Sequence, residues 1–311
     1  MKRELALVAL GGNALSKSGS DSFSKQLIQA KAIARSIASA ARDRDLVITH
    51  GNGPQVGNQL MRNELSKSQV PPLPLDACGA DTQGEIGYML QQAISNEMKR
   101  AGMEGRVATI ITQVLVDPQD PAFQNPSKPI GPFLPKGEAD ELKRRGYAVA
   151  PDPRGRGFRR IVPSPKPIRI LELETIRELV EGGVTTITCG GGGIPVVDSG
   201  GFYVGIDAVI DTDLCSGLLA KGLRASSFVI LTDIERVCID FGKPTQQEIA
   251  HMSASEARRY LAEGQFPDGS MGPKVEAAVD FLRSSGKRSC IGSADRLLEI
   301  LEGKAGTEIH I

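Results

Sequence analysis

The stretch Thr185–Val197, which reads TTITCGGGGIPVV, decides the fold of this 311-residue chain. Its first residues are apolar and β-branched, a pattern typical of a buried strand. The four glycines that follow have no Cβ, so the backbone there can approach a ligand closely. A tight crossover turn would also suit this stretch, but such a turn usually requires only one or two glycines. We therefore predict a strand that ends at a binding site for a phosphate group.

The same arrangement occurs twice more, near the start of the chain. LALVAL (Leu5–Leu10) runs into Gly11, Gly12 and Asn13, and LVITH (Leu46–His50) runs into Gly51, Asn52, Gly53 and Pro54. In an open α/β sheet, ligands bind beyond the carboxyl ends of the strands. Helix-like segments come next, and the free N–H groups at helix starts attract anions. Three strands that each end in a glycine turn are therefore expected to line one cleft.

Strand and helix patterns alternate along the whole chain, which predicts an α/β fold: a three-layer α/β/α sandwich with a mainly parallel central sheet. Within this sheet, the C-terminal strands could pair antiparallel. Predicted strands beyond those already named are Val107–Val116, Phe228–Leu231, a weaker hairpin-like region over Phe202–Ile210, and the segments SCIG and TEIHI near the end. Predicted helices are Lys25–Arg44 capped by Ser24, Pro54–Leu65, Thr82–Arg100, Glu172–Glu181, one capped by Asp211 or Asp213 and ending near Lys221, one capped by Ser253 with Glu256 in a capping box, one from GSMGPK to Arg283, and ADRLLEILEG.

The segment Asp117–Pro167 differs in composition from its surroundings, because it holds 11 of the 19 prolines. Proline is not tolerated in a central strand or inside a long helix. Such a stretch predicts turns, edge hairpins and at most a short helix near Glu138–Arg145. A long excursion from a compact fold is usually functional or a small subdomain. We interpret residues 117–167 as a lid that protrudes from a single domain formed by residues 1–311.

Bulk composition narrows the function classes. Lys+Arg and Asp+Glu are 37 each, so no overall field recruits nucleic acid or an anionic membrane. The basic run RGRGFRR (Arg154–Arg160) could bind RNA, but arginines on a lid over an anionic substrate explain it equally well. The five scattered cysteines fit neither a disulfide framework nor a zinc site. No apolar run is long enough to span a membrane, and we expect a cytoplasmic protein.

Two lysines are candidates for contacts with a phosphoryl group. Neither the P-loop pattern nor the GxGxxG spacing occurs in the chain. Phosphoryl transfer needs backbone N–H cradles, positive charge and a carboxylate to orient it. Lys274 in GSMGPK stands at a helix start, where it could add to such a cradle or be an ordinary solvated lysine. Lys128 in NPSKPIGP lies between prolines that stiffen the lid, and it could equally be a surface lysine beside an edge strand.

Asp211 and Asp213, in the run VIDTDL, are candidates for the orienting carboxylates. As a pair they could orient lysines or the Mg²⁺ that accompanies ATP. Aspartate is also a common helix N-cap, and we expect one of the two to have only that role.

Long ordered motifs show that the chain resembles the carbamate kinases, a branch of the amino acid kinase superfamily, along nearly its whole length. The motifs are ALGGNA, HGNGPQVGN, DTQGEIGYML, NPSKPIGPF, VPSPKP, CGGGGIPVV, AVID, FVILTD, VCIDFGKP, GSMGPKVEAA and the terminal GT. The resemblance implies the reversible reaction ATP + carbamate ⇌ ADP + carbamoyl phosphate, with Mg²⁺ on the nucleotide. It also implies a cytoplasmic homodimer that often makes ATP in arginine fermentation.

The resemblance further implies roles for individual residues. Lys128 would reach the transferring phosphoryl from the lid, Asp213 would organise the cationic side chains, and Lys274 would contact the nucleotide phosphates. The carbamoyl group and its phosphate would be held by Gly11, Gly12, Asn13, Gly51, Asn52 and Gly53. The nucleotide would be held by Gly191, Gly192, Thr232, Asp233, Val237, Met271, Gly272, Pro273 and Lys274. The N-lobe, residues 1–195, would thus bind carbamate or carbamoyl phosphate, and the C-lobe, residues 196–311, would bind the nucleotide.

One position departs from the pattern of these kinases. They read VIDKD where this chain has VIDTD, so Thr212 stands in place of an expected lysine. The loss of a preorganised cation at such a site can slow a reaction on the order of 10²–10³-fold. The substitution therefore implies a slow kinase, a kinase that uses another cation such as Lys17 or Lys221, or a changed task. The alternative function is a low-turnover protein that binds nucleotide or carbamoyl phosphate as a sensor or partner.

Overall fold

A central sheet of eight strands divides the molecule into layers. The computed structural model describes residues 3–12, 15, 22–152, 155–267, 269–285 and 288–311. In this sheet every described pair of neighbours is parallel except β16 and β17. The strands are β1 (Glu4–Leu10), β2 (Arg44–His50), β3 (Arg106–Thr109), β4 (Gln113–Leu115), β5 (Lys128–Leu134), β6 (Val149–Pro151), β7 (Phe158–Val162), β8 (Arg169–Ile170), β9 (Val184–Ile187), β10 (Ile194–Ser199), β11 (Phe202–Gly205), β12 (Ser227–Thr232), β13 (Val237–Ile239), β14 (Gln247–Ile249), β15 (His251–Ser253), β16 (Arg288–Ser293) and β17 (Thr307–His310). The order across the central sheet is β15-β17-β16-β12-β1-β2-β9-β3.

Helices cover both faces of this sheet. They are α1 (Phe23–Ala40), α2 (Gly53–Ser66), α3 (Leu75–Arg100), α4 (Lys136–Arg144), α5 (Leu173–Glu181), α6 (Thr212–Gly222), α7 (Ala254–Ala262), α8 (Met271–Ser285) and α9 (Leu297–Leu301). The predicted sandwich with a mainly parallel sheet and an antiparallel C-terminal pair is confirmed. None of the helices within the described ranges is both long and apolar enough to cross a membrane.

Two apolar clusters fill the space between the layers. Leu7 and Ala9 of β1 belong to one cluster, together with buried residues of α5, α6 and α8. Ala6 and Val8 belong to the other, with buried residues of α1, α3 and α9. This division follows from the strand geometry, because successive side chains point to opposite faces. Both faces are therefore apolar, which explains why β1 and β2 read as continuous apolar runs rather than alternating ones.

Three predicted boundaries were wrong, two of them because contacts with distant residues decided them. Helix α1 starts after the N-cap Ser22 and ends at Ala40, not at Arg44, because Arg44 pairs with Glu4 at the start of β2. Helix α3 begins at Leu75 rather than Thr82. Its first N–H is satisfied from a distant segment, by Asp207 Oδ1 at 3.2 Å.

The predicted strand Val107–Val116 is two strands in different sheets. β3 lies at the edge of the central sheet, and β4 belongs to a second sheet with the order β11-β10-β4-β8. The chain breaks at the fully buried Thr112, whose backbone N–H is bonded to Gln83 Oε1 at 2.8 Å and not to a neighbouring strand. In the predicted hairpin-like region, only Phe202–Gly205 forms a strand, paired with β10.

The proline-rich segment forms a small sheet of its own, with the order β5-β7-β6, and carries α4. The expected edge hairpins and short helix are thereby confirmed. The lid sheet packs on α2 at one very close point, where an ideal Cβ on Gly57 would lie 2.2 Å from the Cα of Gly131. Arg145 and Glu64 connect the same two regions through an ion pair in which Arg145 Nη2 lies 2.9 Å from Glu64 Oε2.

Candidate active site

The glycine turns after β1, β2 and β9 meet at the carboxyl edge of the central sheet. An ideal Cβ on Gly51 would lie 3.0 Å from the Cα of Gly12, so the first two turns are in contact. An ideal Cβ on Gly191 would lie 2.2 Å from Asn52 Nδ2, which joins the second turn to the third. Gly12 and Gly53 border open space. The structure thus brings these predicted site residues together, whereas Asn13 lies outside the described residues.

The four-glycine turn has a backbone shape that explains its composition. Gly190–Gly192 form a short 3-10 turn, and Gly191, Gly192 and Gly193 have φ angles of 65°, 90° and 84°. These angles lie in the left-handed region that L side chains rarely adopt. Cys189 shares this region with φ of 50°, which strains the backbone next to the site. The turn also packs on the next segment, since an ideal Cβ on Gly192 would lie 2.5 Å from the carbonyl oxygen of Ile210.

Two adjacent residues of α3 hold these turns in place. Asn52 Nδ2 donates to Thr82 Oγ1 at 2.7 Å, and Thr82 Oγ1 donates to the carbonyl of Gly79 at 2.7 Å. Gln83 Nε2 donates to the carbonyl of Gly190 at 3.0 Å. Both α3 side chains are buried, at 0% and 2% exposure. Neither residue stands out in the sequence as a site residue, because nothing in a helix pattern shows which turn a buried polar side chain will reach.

His50, the last residue of β2, is a further functional candidate that the sequence reasoning missed. It is buried directly beneath the site, and an ideal Cβ on Gly190 would lie 2.4 Å from its Nε2. Its Nδ1 lies 3.1 Å from the carbonyl oxygen of Gly51, which fixes the ring. Burial lowers the pKa of His50 to about 4, against the opposing effect of the Gly51 hydrogen bond. The imidazole is therefore neutral at physiological pH.

Two partly buried ion pairs lie at the start of α6, next to the four-glycine turn. Lys128 Nζ is 2.6 Å from Asp211 Oδ2, although the two residues are 83 apart in the chain. Lys274 Nζ is 2.8 Å from Asp213 Oδ2, across a separation of 61 residues. The structure thus brings the two predicted lysines to neighbouring carboxylates. Each lysine has its own partner: Asp213 forms an ion pair with Lys274, and Asp211 forms one with Lys128.

Asp211 has two roles, which corrects the expectation that one aspartate would only cap the helix. Its Oδ1 accepts from the backbone N–H of Asp213 at 2.9 Å and of Leu214 at 3.3 Å, and its Oδ2 binds Lys128. Burial alone would raise the pKa of Asp211. The charge and hydrogen bond of Lys128, with the N–H of Leu214, outweigh burial and hold that pKa below its usual range. This carboxylate therefore stays ionised and fixes the lid lysine.

Asp213 is more deeply enclosed and behaves differently. Burial raises the pKa of Asp213; the charge of Lys274 opposes this rise, and the charge of Asp211 adds to it. The paired carboxylates thus have pKa values that are pushed apart, which is common where a site must hold charge without water.

The segments predicted to surround the nucleotide occupy one side of the same edge. Strand β12 ends at Thr232, next to the first glycine turn, because the N–H of Gly11 donates to the carbonyl oxygen of Leu231 at 2.9 Å. The next residue, Asp233, is exposed. The first turn of α8 consists of Met271, Gly272, Pro273 and Lys274. Val237 is fully buried in the core, and its N–H is bonded to Thr307 Oγ1 at 2.8 Å. Neither the side chain nor the backbone N–H of Val237 therefore faces open space.

Of the two candidates for a substitute cation at Thr212, the described one, Lys221, is not brought to the site. Lys221 is in the last turn of α6, eight residues after Asp213, which at 1.5 Å per residue is about 12 Å along the helix. Lys17 lies outside the described residues. The lid arginines Arg156 and Arg159 stack over the ring of Phe133, at 4.3 and 5.4 Å from its centre, and so support the lid's own packing.

A magnesium ion would fit this site as a companion of nucleotide phosphates. Carboxylate oxygens are ligands that Mg²⁺ prefers, but Asp211 and Asp213 are each engaged with an ammonium group. The described residues include no group of three or more His, Cys, Asp or Glu side chains that could hold a metal. The phosphates would therefore have to supply most of the ligands.

Glycine turns that meet at the carboxyl edge of a parallel sheet, with two lysines held beside them by buried carboxylates, define a phosphotransferase of the α/β class. The chain belongs to the amino acid kinase family, whose sequence pattern it matches over residues 4–293.

Within this family the chain is similar to carbamate kinases. The carbamate kinase of Thermococcus kodakarensis is 46% identical over 315 residues, which cover 99% of each chain. The carbamate kinase-like protein YahI of Escherichia coli is 45% identical over 314 residues, again with 99% of each chain covered. The solved structure of carbamate kinase from Giardia lamblia bound to AMP-PNP has a TM-score of 0.91 at 38% identity and covers 99% of this chain and 98% of that one.

Proposed function

We propose that the chain is a carbamate kinase, which transfers a phosphoryl group reversibly between ATP and carbamate. The observation that carries the proposal is the pair of neighbouring ion pairs Lys128–Asp211 and Lys274–Asp213, set beside the glycine turns. Full-length similarity to carbamate kinases supports the same substrates. Such a site supplies positioning and positive charge, which are what phosphoryl transfer needs most.

In the proposed mechanism, a carbamate oxygen attacks the γ-phosphorus of ATP while the bond to the ADP oxygen breaks. The N–H groups of the turns at Gly11–Gly12 and Gly51–Gly53 would hold the carbamate and the arriving phosphoryl group, with Asn52 beside them. Lys128 would exchange part of its contact with Asp211 for the transferring phosphoryl oxygens, and Lys274 would bind the nucleotide phosphates while Asp213 keeps it in position. Mg²⁺ bound to the nucleotide would neutralise developing charge on those oxygens.

We also propose the division of labour that the resemblance implies. Residues 1–195 would bind carbamate or carbamoyl phosphate, residues 196–311 would bind the nucleotide, and residues 117–167 would act as the lid of this single domain. Gly191 and Gly192 stand at the junction, between Asn52 and Ile210, which supports a contact with the phosphate that passes between the substrates. Thr232, Asp233 and the Met271–Pro273 turn are the proposed wall of the nucleotide site, and Val237 is left out of it because its side chain is fully buried and its N–H is bonded to Thr307.

The cellular setting rests on the resemblance. We propose a cytoplasmic homodimer that uses Mg²⁺ with ATP or ADP and acts in arginine metabolism, where it makes ATP from carbamoyl phosphate. Neither nucleic acid nor a membrane is proposed as a partner.

A second candidate function is a low-turnover protein that binds nucleotide or carbamoyl phosphate as a sensor or partner. The observation that favours it is Thr212, which stands beside Asp213 where a lysine is expected. Without that lysine, the described ammonium groups at the paired carboxylates are those of Lys128 and Lys274 alone.

The decisive experiment mixes the protein with ADP, Mg²⁺ and carbamoyl phosphate and measures ATP. We expect ATP formation that ends when either substrate is omitted. ADP binding measured by calorimetry without any ATP formation would reject the kinase and favour the sensor. For variants of the site lysines in the same assay, the matched control is Lys136→Ala. It changes an exposed lysine on the lid and is expected to leave the rate of ATP formation unchanged.

A further inference from the structure

Thr82 has a hydrogen-bonding arrangement that constrains a neighbouring side chain in the site. It lies on α3, is fully buried, and its Oγ1 is 2.7 Å from Asn52 Nδ2 and 2.7 Å from the carbonyl oxygen of Gly79. A threonine hydroxyl has one hydrogen to donate. The Gly79 carbonyl can only accept, so that hydrogen is used there, and Thr82 must accept from Asn52.

This requirement fixes which way the Asn52 amide faces. An amide carries an acceptor on one side and two donors on the other, and the two ends have nearly the same shape. Because Thr82 can only accept, the amino end of Asn52 faces α3. The amide also packs against the backbone of Gly191, where an ideal Cβ would be 2.4 Å from Asn52 Cγ, so it cannot tilt towards that turn. No described residue bonds to Asn52 Oδ1.

We propose that Thr82 is a positioning residue that makes Asn52 Oδ1 a specific acceptor for an N–H group on the small substrate. This inference rests on the proposed function, in which that substrate is carbamate or carbamoyl phosphate. Apart from the oxygen that carries the phosphoryl group, the carbamoyl carbon bears a carbonyl oxygen and an amino group. Only the amino group can donate a hydrogen bond. Asn52 then distinguishes a carbamoyl compound from an analogue of the same shape whose amino group is replaced by methyl.

Such discrimination has a physical basis on both sides. A hydrogen bond made by the amino group favours the carbamoyl compound, whereas an analogue without a donor leaves the amide oxygen unpaired in a partly enclosed site. If the hydroxyl of Thr82 were absent, the amide could rotate and present its own donors, which suit neither substrate. The loss would then fall on the substrate that has the N–H group.

The test compares carbamoyl phosphate with acetyl phosphate as phosphoryl donors to ADP in the presence of Mg²⁺. Thr82→Val removes the hydroxyl with little change of shape, and Thr82→Ser keeps it. The matched control is Thr186→Val, because Thr186 is also a fully buried threonine and its hydroxyl has no partner among the described residues. Thr82→Ala carries the same prediction as Thr82→Val if the valine does not fit.

We expect Thr82→Val to lower kcat/KM for carbamoyl phosphate about tenfold while the value for acetyl phosphate changes less than about twofold. The ratio of the two values should be restored in Thr82→Ser and unchanged in Thr186→Val. Equal losses with both donors would reduce Thr82 to a structural residue and overturn the proposal, as would a Thr82→Ser variant that behaves like Thr82→Val. A wild-type protein that makes ATP from neither donor would reject the proposed function itself, and this inference with it.

Discussion

Gly57 of α2 and Gly131 of the lid lie in backbone contact, with 2.2 Å between the ideal Cβ position of Gly57 and the Cα of Gly131. Gly131 adopts φ of 74°, so neither position tolerates a side chain. The contact sets how close the lid strand β5 approaches α2. Because Lys128 is the first residue of that strand, the contact also determines where its ammonium group lies.

The first prediction follows from this contact. Gly57→Ala should push the lid away and lower kcat on the order of 10²-fold, since small displacements of a positioning group cost that much. ADP affinity should stay within about twofold, as the contact does not involve the proposed nucleotide wall. Steady-state kinetics and calorimetry measure both. Gly84→Ala is the control: Gly84 is an exposed glycine of α3 with nothing near its Cβ position, and its replacement should be neutral or stabilise by up to about 1 kcal/mol.

Lys128→Ala tests the lid lysine directly. We expect kcat to fall on the order of 10²–10³-fold, because a preorganised cation near the transferring phosphoryl is lost. ADP binding should change little, since Lys128 is held by Asp211 and not by the α8 turn. Equal losses in kcat and in ADP affinity would contradict the proposed role. The exposed lid residue Lys136 again supplies the control, as Lys136→Ala.

Lys274→Ala separates stability from catalysis. The substitution leaves Asp213 buried without its ammonium partner, and breaking a buried pair in this way costs about 3 kcal/mol of unfolding free energy. Adding Asp213→Asn to Lys274→Ala removes the unpaired charge and should recover most of that stability. Activity should stay low in the double variant, because Lys274 is absent. Denaturant unfolding and ATP formation would show this, and a double variant with restored activity would contradict the assignment.

His50 predicts a pH dependence of stability. Its pKa is about 4 in the folded protein, against 6.5 for a histidine side chain that is free in water. Below pH 6.5 the unfolded chain binds a proton that the folded protein does not, so the unfolding free energy decreases as the pH falls from 6.5 towards 4.

The full effect is about 3 kcal/mol, since one unit of pKa corresponds to about 1.4 kcal/mol. His50→Gln should remove this part of the pH dependence, measured by urea unfolding at about pH 7 and about pH 4. His251→Gln, at an exposed position, should retain it.

Thr212→Lys tests the departure from the carbamate kinase pattern. Position 212 is the first residue of α6, one residue from each of the paired carboxylates. An added ammonium there should increase the rate of ATP formation from carbamoyl phosphate, on the order of 10²-fold if the cation reaches the phosphoryl group. An unchanged or lower rate would indicate that the site is adapted to threonine.

Much of the fold follows from local patterns. The apolar run Leu5–Leu10 and the β-branched residues before Gly190 formed buried strands as predicted, and the predicted capping box of Ser253 and Glu256 is present at the start of α7. Local patterns failed where a distant group supplied a partner. The hydrogen bond from the Leu75 N–H to Asp207 lets α3 begin seven residues before the predicted start. The hydrogen bond from the Thr112 N–H to the Gln83 side chain separates the two strands that had been predicted as one.

The sequence by itself determined the sandwich, the glycine turns and the two lysines, because strand periodicity, missing Cβ atoms and proline stiffness are properties of a residue and its neighbours. Only the tertiary structure decided that Asp211 takes Lys128 while Asp213 takes Lys274, that Thr82 orients Asn52, and that His50 is neutral. Those outcomes depend on distances between residues far apart in the chain and on the exclusion of water. Neither is a property of any short stretch.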